Sequence, residues 1–263
     1  MWTVQPKLFG WFHILGILMA IAFGYAGVLL GRRYKAAECG KKVKRLLWGI
    51  EILFIVLETV KEIYYAVVSG GYRWDLFPMQ ICSVIFFALP VALLLKDGTA
   101  KDSVLGFIGF CCLAGGAFYM CNPTAAFGAP TVLLSLHSFF WHWLMILTGT
   151  FVIVSYDLLK KKTWRLLGGA YAVWFVFAVI AAVADNIAHF TAPELGIDYY
   201  HIGYVKVVYP IINLLFPYPE PYIPFFLCFL VYFALGTIMV YYAAKGICQL
   251  NRLIFRKDGG HTA

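Results

Sequence analysis

A thiol, two imidazoles and several carboxylates fall inside apolar stretches of this chain, where such side chains are rare. Cys82 lies in LFPMQICSVIFFALPVALLL, preceded by Pro78 and Gln80 and followed by Ser83; His137 and His142 lie in HSFFWHWLMI. Glu51, Glu58, Lys61 and Glu62 interrupt another apolar run, and Asp185, Asn186 and His189 close a third. Nothing in hydrocarbon replaces the water these groups lose, so they are kept where they face protein, a cavity or a reaction. Their types suit a proton or ion relay through Glu58, Lys61, Glu62 and the histidines, or chemistry at the Cys82 thiol. A metal held by His137, His142, Asp185 and His189 is the weaker reading. Positions five apart on a helix diverge by about 140°, so no metal centre is expected.

Each residue also has a structural reading. A histidine in a membrane helix can simply bond a neighbouring helix, which suits His137 as well as chemistry does. His142 has Ser138 and Ser135 four and seven residues back on its own face, which favours a continuous polar stripe. Cys82 can be a small packing residue, and Glu58, Lys61 and Glu62 can be an ion cluster that locks helices. The seven cysteines show no CxxC pair and no metal-ligand spacing, which argues against a disulfide framework or structural zinc.

The elements that must position these groups follow from composition. Of the 263 residues, 62% are hydrophobic and 13% charged, and the apolar runs are long enough to cross a bilayer. The chain reads as an all-α, polytopic membrane bundle of seven transmembrane helices in a single domain over 1–263. The spans run over about 8–30, 46–69, 76–95, 103–121, 131–156, 166–189 and 223–248. At 100° per residue Glu51, Glu58, Lys61 and Glu62 share one stripe of span two, continued by Tyr65. Gly115 and Gly116 in span four permit close helix approach. The 33 residues between spans six and seven, Phe190 to Tyr222, suit a lid or a partly inserted segment.

Lys and Arg set the orientation. Alternate loops place seventeen basic residues on one side and three (Lys7, Arg73 and Lys206) on the other, so the amino terminus is out and the carboxyl terminus in. The net charge of +8 is therefore topological, and nucleic-acid binding is excluded as a main role. At 1.5 Å per residue, Cys82 and His137 lie ~9 Å below the outer ends of their spans, His142 and Glu58 ~16 Å and Glu62 ~10 Å. Asp185, Asn186 and His189 lie at the outer end of span six. These residues, Glu51 apart, occupy the outer half of the membrane, which predicts a polar cavity open to the outer leaflet.

The motifs LFPMQICSV, HSFFWHWLMI, Asp185-Asn186-Ile187 and LLFPYPEPYIPF, in that order, resemble the YwaF-like bacterial integral membrane proteins. That TMEM-type multispan family is similar to an animal membrane acyltransferase that moves fatty acyl chains between phospholipids, ether lipids included. The resemblance covers most of the chain from span two onward. It implies a bacterial cytoplasmic-membrane protein of seven helices with a Cys/His pair acting on acyl esters of membrane phospholipids, and no soluble cofactor. The histidine segment matches at His142. The animal nucleophile aligns with Met79, whereas Cys82 matches the bacterial cysteine one helical turn on. Under the resemblance Cys82 attacks the ester and His142 is its base. His137, Glu58, Glu62 and Asp185 then form a supporting layer in which Glu58 or Asp185 orients the imidazole, and Gln80 or Asn186 donates to the oxyanion. A small-solute or lipid transporter with a Glu/Lys/His relay is the alternative; no inverted repeat supports it.

Overall fold

The computed structural model describes residues 7–203, 211–219 and 221–257. Lys206, counted above among the outer basic residues, lies outside them. Seven main helices account for most of the chain: α1 Trp11–Arg33, α2 Ala36–Ser69, α3 Ile85–Leu94, α4 Thr99–Cys121, α5 Val132–Ser155, α6 Thr163–Thr191 and α7 Tyr222–Lys257. There is no strand among the described residues. Five helices are long and apolar enough to cross a membrane: α1, α4, α5, α6 and α7 over Tyr222–Gln249. Their outward faces are apolar, with Leu18, Val176 and Val231 each more than half exposed, as lipid contact requires. The 34-residue α2 is long enough but carries charge, and the ten residues of α3 reach only ~15 Å, about half a hydrocarbon core.

Helix α5 is the axis of the bundle and packs against α1, α2 and α4. Glycines set the closest of these contacts. A Cβ at Gly27 of α1 would stand 2.1 Å from Thr150 Oγ1 and 2.4 Å from the Leu147 carbonyl, and one at Gly149 of α5 would stand 2.9 Å from Leu113 Cβ. His13 fastens α1 from the side. Its Nδ1 accepts from the Phe9 amide (2.9 Å), so its Nε2 carries the proton and donates to the Met120 carbonyl (2.8 Å). Helix α4 is wound as a π-helix over Phe107–Cys112, and that whole segment is buried.

The third apolar run does not form the continuous helix its composition suggested. A 3-10 turn at Trp74–Leu76 leads through irregular chain to a helix that starts only at Ile85. Pro78 explains the break: it has no N–H, and it holds Phe77 extended (φ −50°, ψ 140°), outside the helical region. Met79 and Cys82 consequently do not share a helix face. Cys82 belongs to the turn that feeds α3, in which Ser83 and Val84 both donate to the Gln80 carbonyl (2.8 and 3.1 Å).

Candidate functional site

Three elements converge on this turn. The Trp141 indole of α5 donates to the Cys82 carbonyl at 3.0 Å, and its ring is fixed between Phe54 of α2 and His137 of α5, with centroids at 4.8 and 6.1 Å. A Cβ on Gly115 of α4 would reach both Ile81 (3.9 Å) and Met145 (3.5 Å), and one on Gly116 would stand 3.2 Å from the His142 carbonyl. The Cys82 turn and the His142 turn thus flank the same glycine pair of α4. Gly116 is the tight position: a Cβ there would also meet Ile146 Cγ1 at 2.9 Å, so glycine lets α4 lie close to α5.

His142 is buried and its ring is held on two sides. Tyr119 of α4 stacks on it in parallel, centroids 3.5 Å apart at 5°, and the Tyr119 hydroxyl is tied to Ser138 Oγ at 2.6 Å. Nδ1 lies 2.7 Å from the carbonyl of Ser138, one turn back on α5. A carbonyl only accepts, so in the neutral ring Nδ1 holds the proton and Nε2 presents the lone pair. No group among the described residues bonds Nε2. The imidazole is therefore oriented by its own helix, and neither Glu58 nor Asp185 does so.

Four of the expected supporting residues, Glu58, Glu62, Gln80 and Asp185, bear directly or through a partner on the segment 74–82. Lys61 pairs with Glu58 (2.5 Å) and Glu62 (3.2 Å) and donates to the Leu76 carbonyl at 3.0 Å. Asp185 accepts from the Tyr199 amide at 2.8 Å, and the Tyr199 hydroxyl donates to the Trp74 carbonyl at 2.9 Å. Burial, reinforced by Asp185, pushes the Tyr199 phenol up to about 12, which keeps it a donor. Gln80 Nε2 donates to the Asp198 carbonyl at 2.8 Å, so this amide ties two loops together and is not free for an oxyanion. Asn186 donates to Ala182 one turn back on α6 (2.7 Å), and His137 Nε2 bonds the Leu57 carbonyl of α2 (2.9 Å). Glu58, Glu62, Gln80 and Asp185 converge on 74–82; Asn186 does not.

Cys82 is half-buried, with its sulfur 4.0 Å from Ser83 Oγ, and it is one of seven free cysteines. The N–H of Ile81 has no hydrogen-bond acceptor among the described residues. An open groove of about 370 Å³ separates α2 from α5 and is walled by Leu57, Val60, Tyr64, Leu136 and Phe140, with Lys61 and His137 beside them. Among the described residues no group of three or more His, Cys, Asp and Glu side chains is placed to hold a metal ion.

Tyr119, the hydrogen bond of the Trp141 indole and the free Ile81 N–H escaped the reading of the sequence. All belong to common residue types in aromatic-rich helices or to the main chain, and spacing carries no signal for them. Compared with known proteins, the chain matches the profile of the TMEM164 family over residues 8–242. Neither curated proteins nor solved structures gave a match.

Proposed function

Because this chain belongs to the TMEM164 family, a family of membrane proteins, we propose that it is a seven-span acyltransferase that moves acyl chains between phospholipids through a thioester on Cys82. The observation that carries this is the pairing of roles on adjacent residues of α5. Trp141 holds the Cys82 backbone, and His142 keeps Nε2 as an unbonded base in the same layer. Fixed tautomer and fixed backbone are what a nucleophile and its base need before substrate arrives.

In the reaction, His142 Nε2 takes the Cys82 thiol proton as sulfur attacks the ester carbonyl of a phospholipid. The unpartnered N–H of Ile81 is the donor on hand for the oxyanion. The intermediate collapses with cleavage of the C–O bond; the lysolipid oxygen leaves with the proton from His142, and the acyl group stays on sulfur. A second lysolipid hydroxyl gives its proton to Nε2 and attacks the thioester, and the thiolate recovers the proton. The groove between α2 and α5 gives an acyl chain an apolar path from the lipid. Lys61, fully engaged with Glu58, Glu62 and the Leu76 carbonyl, fits a scaffold better than a relay.

The proposed topology puts the amino terminus outside and this layer in the outer half of a bacterial cytoplasmic membrane, on the charge asymmetry of seventeen against three. The test is purified protein in nanodiscs with mixed phospholipids and a lysolipid acceptor. Wild type acquires an acyl adduct on Cys82 by mass spectrometry, and Cys82→Ala and His142→Ala each lose acyl exchange. Full exchange by both variants refutes the proposal.

A further inference from the structure

At the end of α4 remote from His142, the chain builds a second and chemically different site. Helices α4 and α6 are pressed together where a Cβ on Gly169 would stand 2.2 Å from Ser103 Oγ and one on Gly106 would stand 2.9 Å from Leu166 Cδ1. Beyond that crossing lie their first turns, and the 3-10 turn Leu158–Lys160 contributes Lys160 beside them. The result is a cleft of about 470 Å³ lined by Thr99, Asp102, Ser103, Lys160, Lys161, Lys162 and Arg165, with Leu166 at its apolar floor. From Ser103 to Gly115 is twelve residues, ~18 Å along α4, so this cleft and the Cys82 layer are separate.

Its charge is unbalanced. Four cations face one carboxylate. Asp102 engages Lys161 at 2.7 Å, Asp157 outside the cleft draws Lys160 at 3.3 Å, and Arg165 donates to the Thr99 hydroxyl. Lys162 makes no ion pair among the described residues. The neighbouring cleft of about 440 Å³ has Lys41, Lys44 and Lys101 against Asp97 and Asp157, a nearly balanced set. Trp164 stands 68% exposed at the start of α6, an aromatic of the kind found at the level of lipid headgroups. Cations and hydroxyls over an apolar floor suit a phosphate that carries acyl chains.

We infer that this cleft binds the phosphate of an anionic phospholipid headgroup through Lys160, Lys161, Lys162 and Arg165, with the Thr99 and Ser103 hydroxyls as further hydrogen-bond partners. Its position on the cytosolic leaflet rests on the orientation given under Proposed function; the binding does not.

The test titrates the full chain in detergent micelles with dioleoylphosphatidylglycerol, dioleoylphosphatidylcholine or inorganic phosphate and follows the thermal midpoint. Phosphatidylglycerol is expected to raise the midpoint and phosphatidylcholine not to. Lys162→Glu with Arg165→Glu should weaken the apparent affinity at least about tenfold, while Lys41→Glu with Lys44→Glu, the same change of charge beside the balanced cleft, leaves it within about twofold. If the first pair does not fold, Lys162→Gln with Arg165→Gln gives the reading, with a loss of about threefold or more. Equal affinity in the Lys162/Arg165 variants, equal loss in both pairs, or an equal response to phosphatidylcholine overturns the inference. Full competition by inorganic phosphate also overturns it, because the site would then be one for a soluble anion. Cys82→Ala is expected to bind phosphatidylglycerol like wild type, so the fate of the acyl-transfer proposal does not move this result.

Discussion

Replacing Trp141 by Phe is the sharpest probe of how the site is held. The substitution keeps a ring between Phe54 and His137 but removes the N–H that donates to the Cys82 carbonyl at 3.0 Å. A hydrogen bond of this kind contributes ~1 kcal/mol net, and leaving a buried carbonyl without a partner costs ~1–3 kcal/mol. Stability should therefore fall by ~1–3 kcal/mol, which lowers the thermal midpoint by a few degrees. The larger effect is expected in rate. Cys82 lies in a turn that the Gln80 carbonyl bonds and the Trp141 indole hold, so loss of one tie lets the sulfur drift. Misplacement by ~1 Å costs up to ~100-fold in rate. Single-turnover acylation of Cys82, followed by mass spectrometry in nanodiscs, should slow ~10- to 100-fold while the lipid concentration for half-maximal rate stays near wild type. Phe54→Leu is the packing control: it loosens the same ring cluster, retains the indole donor, and should lose stability with little loss of rate. If Trp141→Phe acylates at the wild-type rate, or if Phe54→Leu slows it equally, the argument that this bond positions the nucleophile is refuted.

Three further outcomes follow from the packing. Lys61→Met strands Glu58 and Glu62 and frees the Leu76 carbonyl, so it should destabilise by ~3–5 kcal/mol; Lys61→Met with Glu58→Gln and Glu62→Gln should recover much of that in the same thermal melt, and no recovery would show that the ion cluster is not the cause. Gly27→Ala forces a methyl to 2.1 Å from Thr150 Oγ1 and should cost ~1–3 kcal/mol, whereas Gly168→Ala, with nothing within 4 Å, should be neutral or stabilise by up to ~1 kcal/mol. Asp185→Ala removes the acceptor of the Tyr199 amide; hydrogen exchange at Tyr199 should then rise about 5- to 160-fold, as loss of ~1–3 kcal/mol predicts, with Asp185→Asn close to wild type because its oxygen still accepts.

Composition and apolar run length are local properties, and they sufficed to establish a helical membrane chain and to single out Cys82, His142 and the charged stripe of α2. The stripe was legible because Glu51 and Glu58 lie seven residues apart, nearly two turns, and both are buried. Partnership was not legible. By type and depth Glu58 and Asp185 looked like attendants of the histidine and Gln80 like a donor to the oxyanion. In three dimensions their networks reach the backbone around Cys82, while the histidine takes its orientation from Ser138 on its own helix. The start of α3 was misread because hydrophobicity says that a segment is buried and not that it is helical; Pro78 imposes the turn, and the price of an unwound backbone is met by Lys61, Tyr199, Gln80 and Trp141 from elsewhere in the chain. Sequence determined which residues are costly to bury in this protein. Only the tertiary structure decided what each one bonds, because hydrogen-bond partners 59 to 125 residues apart along the chain leave no periodic trace in it.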